Sequence, residues 1–370
     1  MMKTGVALQG VDPPDRFIEM CKLVESLGYG RLWITDSSLI ARYVYVYLTL
    51  AAIHTRLEIG TAVTNPLTRH PALAANAIAT IGELNGGRVA LGIGAGDRPL
   101  LELGLEPAPR RAVREMVAAV RGLTSGQAVT TSEGEHPAGG FTLEQARLHA
   151  APPIPVPVYI AASGPKMLQL AGEIADGVIV LAGLFPEGVQ YALDRIAEGA
   201  ARSGRSADDL DVTFFAYGSL SADSQHALEE TRSIAAWFAQ TAPHYCELLG
   251  MSAQLISSIR EQYSGSEFHQ AAAAASLVPD DAVRALGLTG TVDDCRAKLA
   301  MLCGLGVQHV TVFPLGGDRS RVVRLFAEAA RSVEDPWSDS TMDRDPTASG
   351  GVTRASGGVT QASGGVPAHG

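Results

Sequence analysis

The chain has 370 residues, 46% of them apolar and 18% charged, with a formal net charge of −10. That balance supplies a large core and excludes a nucleic-acid groove, which needs clustered Lys and Arg. Cys21, Cys246, Cys295 and Cys303 are scattered without a C-x-x-C spacing, no apolar run reaches membrane-spanning length, and the N-terminus opens into a strand pattern, so a soluble cytoplasmic protein with reduced thiols is expected.

Residues 4–8 form a short apolar strand. Phe17, Met20, Cys21, Val24 and Leu27 recur near period 3.6, which predicts a helix over 15–27 closed by Gly28. A second strand over 31–35 ends at Asp36. A helix over 43–54, a third strand over 57–63 and a helix over 72–84 follow. The fourth strand, 88–94, runs into Ala95, Gly96 and Asp97. After a helix over 111–123, residues 124–157 are irregular, with Gly139-Gly140 and Pro152-Pro153, and form a surface insertion. Strands are expected at 158–161, 177–181 and 211–217, with a helix over 189–202. Residues 221–281 are helical in pattern and read as an inserted cap before the last strand. Trp237, Phe238, Tyr245 and Phe268 are either core of that cap or lining of an apolar pocket, with core preferred. A helix over 292–305, an eighth strand over 308–313 and a helix over 319–332 complete the body.

Eight strands alternating with helices imply parallel βαβ units and an α/β fold, the (β/α)₈ TIM barrel, over residues 1–332. An open doubly wound sheet is the alternative. Its G-x-G-x-x-G fingerprint is absent after the first strand, and Gly92-Ile-Gly94-Ala-Gly96 has the wrong spacing. Residues 333–370 change character. Ala348-Ser-Gly-Gly-Val-Thr-Arg354 repeats twice more, and one Val per seven residues cannot form a coiled-coil seam, so a disordered Gly/Ser-rich tail is expected.

The stretch Val158-Tyr-Ile-Ala-Ala-Ser-Gly-Pro165 combines a buried strand, a turn of small residues and a proline at the first helical position. A turn without bulk lets backbone N–H groups at a helix N-terminus approach a phosphate, although an ordinary tight turn would look the same. In a barrel the site lies in the loops after the strands. Those loops hold Asp36, Ser37 and Ser38; Thr64, Asn65, Pro66, Arg69 and His70; Gly94, Gly96 and Asp97; and Ala162, Ser163 and Gly164. Singly, each could be a cap, a turn or solvated surface. Together they place four polar turns on one rim. No H-x-x-x-H or H-E-x-x-H pair occurs, so no metal site is expected; no G-x-S-x-G elbow occurs, which argues against a serine hydrolase, and the G-x-x-x-x-G-K-[ST] phosphate loop is also missing. A phosphate-bearing redox cofactor positioned by the protein remains.

Five motifs carry a resemblance: Trp33-Ile-Thr-Asp36; Ile59-Gly-Thr-Ala-Val-Thr-Asn65 with Arg69 and Pro71; Gly87-Arg-Val-Ala-Leu-Gly-Ile-Gly-Ala-Gly-Asp97; Ala161-Ala-Ser-Gly-Pro-Lys-Met-Leu-Gln-Leu-Ala-Gly-Glu-Ile-Ala-Asp-Gly177; and Gly290-Thr-Val-Asp-Asp-Cys295. With these, the chain resembles the bacterial-luciferase-like superfamily, and within it the coenzyme F420-dependent oxidoreductases of the methylenetetrahydromethanopterin reductase type. The resemblance implies a (β/α)₈ barrel, usually a homodimer, with F420 at the C-terminal rim and a small-molecule substrate such as an imine, enone or alcohol. By position, Ala162, Ser163 and Gly164 would hold the phosphate. Gly94, Gly96 and Asp97 would line the deazaflavin and its ribityl chain. Ala62-Val63 would form a cis peptide under the ring, Asn65 would face its pyrimidine-like end, and Asp36 would lie beside it.

Two positions depart from the family pattern. The His that commonly follows the Asp after strand two is Ser37, and the Glu inside strand one is Ala7. Asp36, Ser37 and His70 are the catalytic candidates, with Tyr43, Tyr45 and Asp97 as further proton sources. The resemblance leaves open an FMN-dependent monooxygenase using dioxygen and a non-catalytic flavin-binding relative. The Tyr-rich helix between strands two and three is the candidate dimer interface.

Overall fold

Short runs of Val, Ile, Leu and Ala, flanked by turns, leave little choice but to pair edge to edge with both faces covered. The computed structural model describes residues 2–96, 98–131, 141–150, 156–263 and 274–334. Its strands are β1 (Lys3–Leu8), β2 (Arg31–Ile34), β3 (Glu58–Thr61), β4 (Val89–Ile93), β5 (Val158–Ala162), β6 (Gly177–Val180), β7 (Asp211–Leu220), β8 (Leu288–Gly290) and β9 (His309–Pro314). All pairings between them are parallel. The order β6-β5-β4-β3-β2-β1-β9-β7 closes on itself through β6–β7, giving the expected eight-stranded barrel. The ninth strand, β8, is a correction to the eight-strand reading. It pairs only with the far end of β7, Gly218 opposite Leu288 and Leu220 opposite Gly290. Three residues are too few for periodicity to reveal.

The outer helices are α1 (Pro14–Ser26), α2 (Val44–His54), α3 (Pro71–Leu84), α4 (Arg98–Glu102), α5 (Arg110–Thr124), α6 (Pro165–Ile174) and α7 (Pro186–Arg202). The insertion follows β7 and is helical where described: α8 (Ser224–Thr241), α9 (Pro243–Leu248), α10 (Ala253–Gln262) and α11 (Asp280–Leu286). Then come α12 (Val292–Gly304) and α13 (Arg319–Glu334). Phe238 and Tyr245 are buried core of the insertion, and Trp237 packs edge-on against Phe238. Phe268 lies outside the described residues. In the earlier insertion Val129 and Ala146 bridge antiparallel, and residues 132–140 and 151–155 lie outside the described residues. Helix α13 runs through Glu334, and the repeats beyond it lie outside the described residues.

Ala7, Trp33, Ala90, Tyr159, Ile179 and Phe215 fill the barrel lumen. Trp33 and Tyr159 meet edge to face, 5.1 Å between centroids. Each needs a glycine on the neighbouring strand. A Cβ on Gly60 would lie 2.5 Å from the Trp33 ring, and one on Gly177 would lie 2.1 Å from the Tyr159 ring. Below these rings, the first residues of four strands form a charged floor. Arg31 Nη2 is 2.8 Å from Glu58 Oε1 and 2.9 Å from Asp211 Oδ2. Tyr159 Oη donates to Asp211 at 2.8 Å, and His309 Nδ1 lies 3.5 Å from the same carboxylate. The floor lies at the N-terminal ends of the strands, opposite the rim that carries the loops after them. Among the described residues, no helix is long and apolar enough to cross a membrane. All four cysteines are unpaired.

Candidate functional site

Strand β3 stops at Thr61, and the Ala62–Val63 peptide that follows is cis, as the resemblance implied. The chain then rejoins β4: Thr64 N–H donates to Gly92 O at 2.9 Å, and Gly94 N–H donates to Thr64 O at 2.8 Å. The bulge fits because a glycine, Gly94, follows β4. A Cβ on Gly94 would come within 2.7 Å of Val63 Cγ2. Gly96 adopts φ +80°, open to glycine but strained for most residues. A Cβ there would also lie 2.4 Å from Leu100 Cδ1 and 3.5 Å from Asn65 Cβ. Val63, Asn65, Gly94 and Gly96 therefore meet on one side of the rim. Asn65 is buried, and its Oδ1 accepts from the N–H groups of Leu67 (3.0 Å) and Thr68 (2.9 Å), folding the loop beyond β3. Asp97 lies outside the described residues.

Asp36, at the end of β2, is gripped by Arg69 in a two-pronged ion pair. Arg69 Nε is 3.0 Å from Oδ2 and Nη2 is 2.7 Å from Oδ1. The side chains are only 3% and 16% exposed. The guanidinium also lies 4.7 Å above the Tyr43 ring. Burial disfavours the Arg69 charge, but the Asp36 contact outweighs it and raises the pKa. Neither group is solvated surface. Arg69→Met, which strands a buried carboxylate, is expected to cost about 3 kcal/mol in chemical denaturation. Arg69→Lys should fall between, since an ammonium cannot form the fork.

The remaining catalytic candidates differ in their hydrogen-bond partners. Ser37 O accepts from Ile40 and Ala41 N–H, while its hydroxyl has no hydrogen bond among the described residues. His70 caps α3, its Nδ1 accepting from Ala72 N–H at 3.3 Å, and its ring meets Phe141 edge-on. Tyr45 is buried, and burial raises its phenol pKa, followed by the nearby Asp36 charge. Its Oη faces the Thr64 hydroxyl, yet the geometry falls short of a hydrogen bond and both atoms stay unpaired.

Strand β5 delivers the small-residue turn. Gly164 is the N-cap of α6, with φ −78° and ψ 153°, no side-chain cap and Pro165 at the first helical position. Gly164 O takes the first helical bonds, from Met167 (3.1 Å) and Leu168 (3.0 Å). The N–H groups of Ser163, Gly164 and Lys166 have no hydrogen-bond partner among the described residues. A Cβ added to Gly164 would meet nothing within 4 Å.

With that geometry in place, residues 2–309 match the luciferase-like monooxygenase family. The chain belongs to this family. The luciferase-like chain is 32% identical over 332 residues to 5,10-methylenetetrahydromethanopterin reductase of Methanolobus tindarius, covering 88% of this chain and 99% of the relative. The same reductase of Archaeoglobus fulgidus is 36% identical over 314 residues, covering 83% and 92%. The structure of coenzyme F420 dependent tetrahydromethanopterin reductase from Methanopyrus kandleri superposes with a TM-score of 0.77 at 28% identity, covering 89% and 98%.

Three features of this luciferase-like site have no signal in the sequence. Asp36 and Arg69 pair across 33 residues. Ala7, Leu8, Gln9, Phe313, Leu315 and Arg319 line a cavity of about 190 Å³ where β1 and β9 end. His244 and Tyr245, from the insertion, both reach Ser163 O. Each joins segments far apart in the chain, and only barrel closure or insertion docking sets those distances.

Proposed function

We infer that this luciferase-like chain is a coenzyme F420-dependent oxidoreductase, moving a hydride between the deazaflavin and a small organic substrate such as an imine, enone or alcohol. The observation that carries the reading is the turn after β5. Three unpartnered N–H donors lie at a helix N-terminus where a Gly164 Cβ would meet open space, two strands from a bulge walled by glycines. These residues suit a flat, phosphate-bearing group. Ser163, Gly164 and Lys166 N–H would take the phosphate, next to Ala162. Gly94, Gly96 and the Ala62–Val63 peptide would bound the ring, with Asn65 at its pyrimidine-like end and Asp97 beside the ribityl chain. When bound, the deazaflavin supplies the hydride chemistry at C5.

The chain's own contribution is placement and proton supply. Asp36, locked by Arg69, keeps its carboxylate fixed beside the ring. Ser37 offers a free hydroxyl there, and His70, its Nδ1 engaged, presents Nε2–H. Ala7 lines the β1–β9 cavity, where the family's Glu would be, so that wall receives an uncharged part of the substrate. Titration of the purified protein with F420 and with FMN decides the cofactor: tight FMN binding without F420 binding would assign the monooxygenase reading instead. Oxidation of reduced F420 by any acceptor excludes a non-catalytic relative.

The protein is a homodimer in this reading, and the unpaired cysteines suit the cytoplasm. Helix α2 has no charged residue between Val44 and Ile53. One side is core, yet Val46 and Ile53 are 54% and 55% exposed, and Leu73 of the neighbouring α3 is 69% exposed. A second copy would cover that stripe. Val46→Glu with Ile53→Glu should convert dimer to monomer in light scattering; a monomeric wild type at the same micromolar concentration overturns the assignment.

A further inference from the structure

Among the described residues, two side chains of the insertion meet at one carbonyl of the turn after β5. Tyr245 Oη donates to Ser163 O at 3.1 Å, and His244 Nε2 lies 3.2 Å from the same oxygen. Tyr245 is fully buried, its ring edge-on to Tyr191 and Phe238 and 4.2 Å from His244. A carbonyl oxygen only accepts, so His244 Nε2 must carry a hydrogen. Burial lowers the His244 pKa, which favours a neutral ring with the proton on Nε2. Both lone pairs of Ser163 O are then taken by side chains from α9. No backbone donor among the described residues competes, since α6 begins its ladder at Gly164 O.

The consequence is directional. The Ser163–Gly164 peptide is planar and trans, so its C=O and N–H point in opposite directions. Holding the oxygen fixes where the Gly164 N–H aims. Without that hold, the peptide is free to turn over, because glycine accepts φ of either sign.

We propose that Tyr245 and His244 are positioning residues: by clasping Ser163 O they keep the Gly164 N–H aimed at the cofactor phosphate, so that docking of the insertion sets cofactor affinity. The proposal rests on the phosphate reading of the turn given above. It concerns residues 81 and 82 positions away in sequence, and it needs no contact between either side chain and the cofactor.

The test measures dissociation constants by fluorescence titration for two probes, the deazaflavin 5′-phosphate and its dephosphorylated riboside. Wild type should prefer the phosphorylated probe. Tyr245→Phe, which keeps the ring in the core, should shrink that preference about three- to tenfold, the range expected for one hydrogen bond. Adding His244→Leu should shrink it further, and His244→Gln, which keeps an N–H donor, should restore most of the His244 share. Binding of the dephosphorylated probe should stay unchanged. An unchanged preference in Tyr245→Phe and in the double variant overturns the clasp. So does equal weakening for both probes, which would mark a packing defect. Equal wild-type affinity for the two probes would instead remove the phosphate reading, and the clasp with it. If the double variant does not fold, Tyr245→Phe alone decides.

Discussion

Gly164→Asp is expected to leave the barrel as stable as wild type, or slightly more stable, while weakening F420 binding about a hundredfold or more. The two effects have opposite signs for one reason. Gly164 already has N-cap geometry, and its added Cβ would enter open space, so Asp fits without strain. An Asp there accepts from the free Lys166 N–H of the first turn and complements the helix dipole, worth a few tenths of a kcal/mol over Gly. The same carboxylate occupies one of the donors a phosphate would use and repels it at close range. Two unit charges at about 4 Å near a protein surface differ by several kcal/mol. Thermal unfolding and cofactor titration read the two halves separately. A stable variant that binds F420 as tightly as wild type would show that the phosphate lies elsewhere.

Arg31→Leu is expected to cost about 3–5 kcal/mol, the range for removing one partner of a buried ion pair. Two carboxylates, Glu58 and Asp211, would face each other at the barrel floor without their shared cation. The packing of Arg31 against the Trp33 and Tyr159 rings, at 5.4 and 5.1 Å, would be lost as well. Burial by itself would raise the Asp211 pKa, but His309, Arg31 and Tyr159 reverse this and hold the carboxyl far below the usual range. The His309 contact, at 3.5 Å, is at the limit of a hydrogen bond, so the shorter Arg31 and Tyr159 contacts carry more of the effect.

The pH dependence follows. The unfolded chain protonates Asp211 near pH 3.9, and the folded chain only well below that. Its stabilisation is therefore full above about pH 5 and lost as pH falls. Burial also lowers the pKa of His309, so the unfolded chain takes up that proton first and stability erodes below about pH 6.5. Both groups make the fold acid-labile. Asp211→Asn should be less stable at pH 7 and lose less stability between pH 5 and 3, in melting curves recorded across pH. An unchanged acid dependence would remove Asp211 from the account.

Much of the candidate site was legible along the chain because its parts are local. A glycine at φ +80°, a small turn before a proline, and an Asp closing a strand are all read within a few residues. Gly60 shows the limit. It looks like any strand glycine until the Trp33 ring is found above it. His70 is an acid–base candidate by sequence, and that its Nδ1 also caps α3 depends on where the helix begins. Strand β8 escaped because three residues carry no period.

The sequence by itself determined the alternation of strands and helices, the barrel and the rim on which the polar turns gather, since period and turn chemistry act between near neighbours. Only the tertiary structure decided that Arg69 holds Asp36, that α9 holds the Ser163 carbonyl and that Arg31 pairs with Glu58 and Asp211 at the floor. Those contacts join residues from 27 to 180 positions apart, and their distances exist only once the barrel has closed.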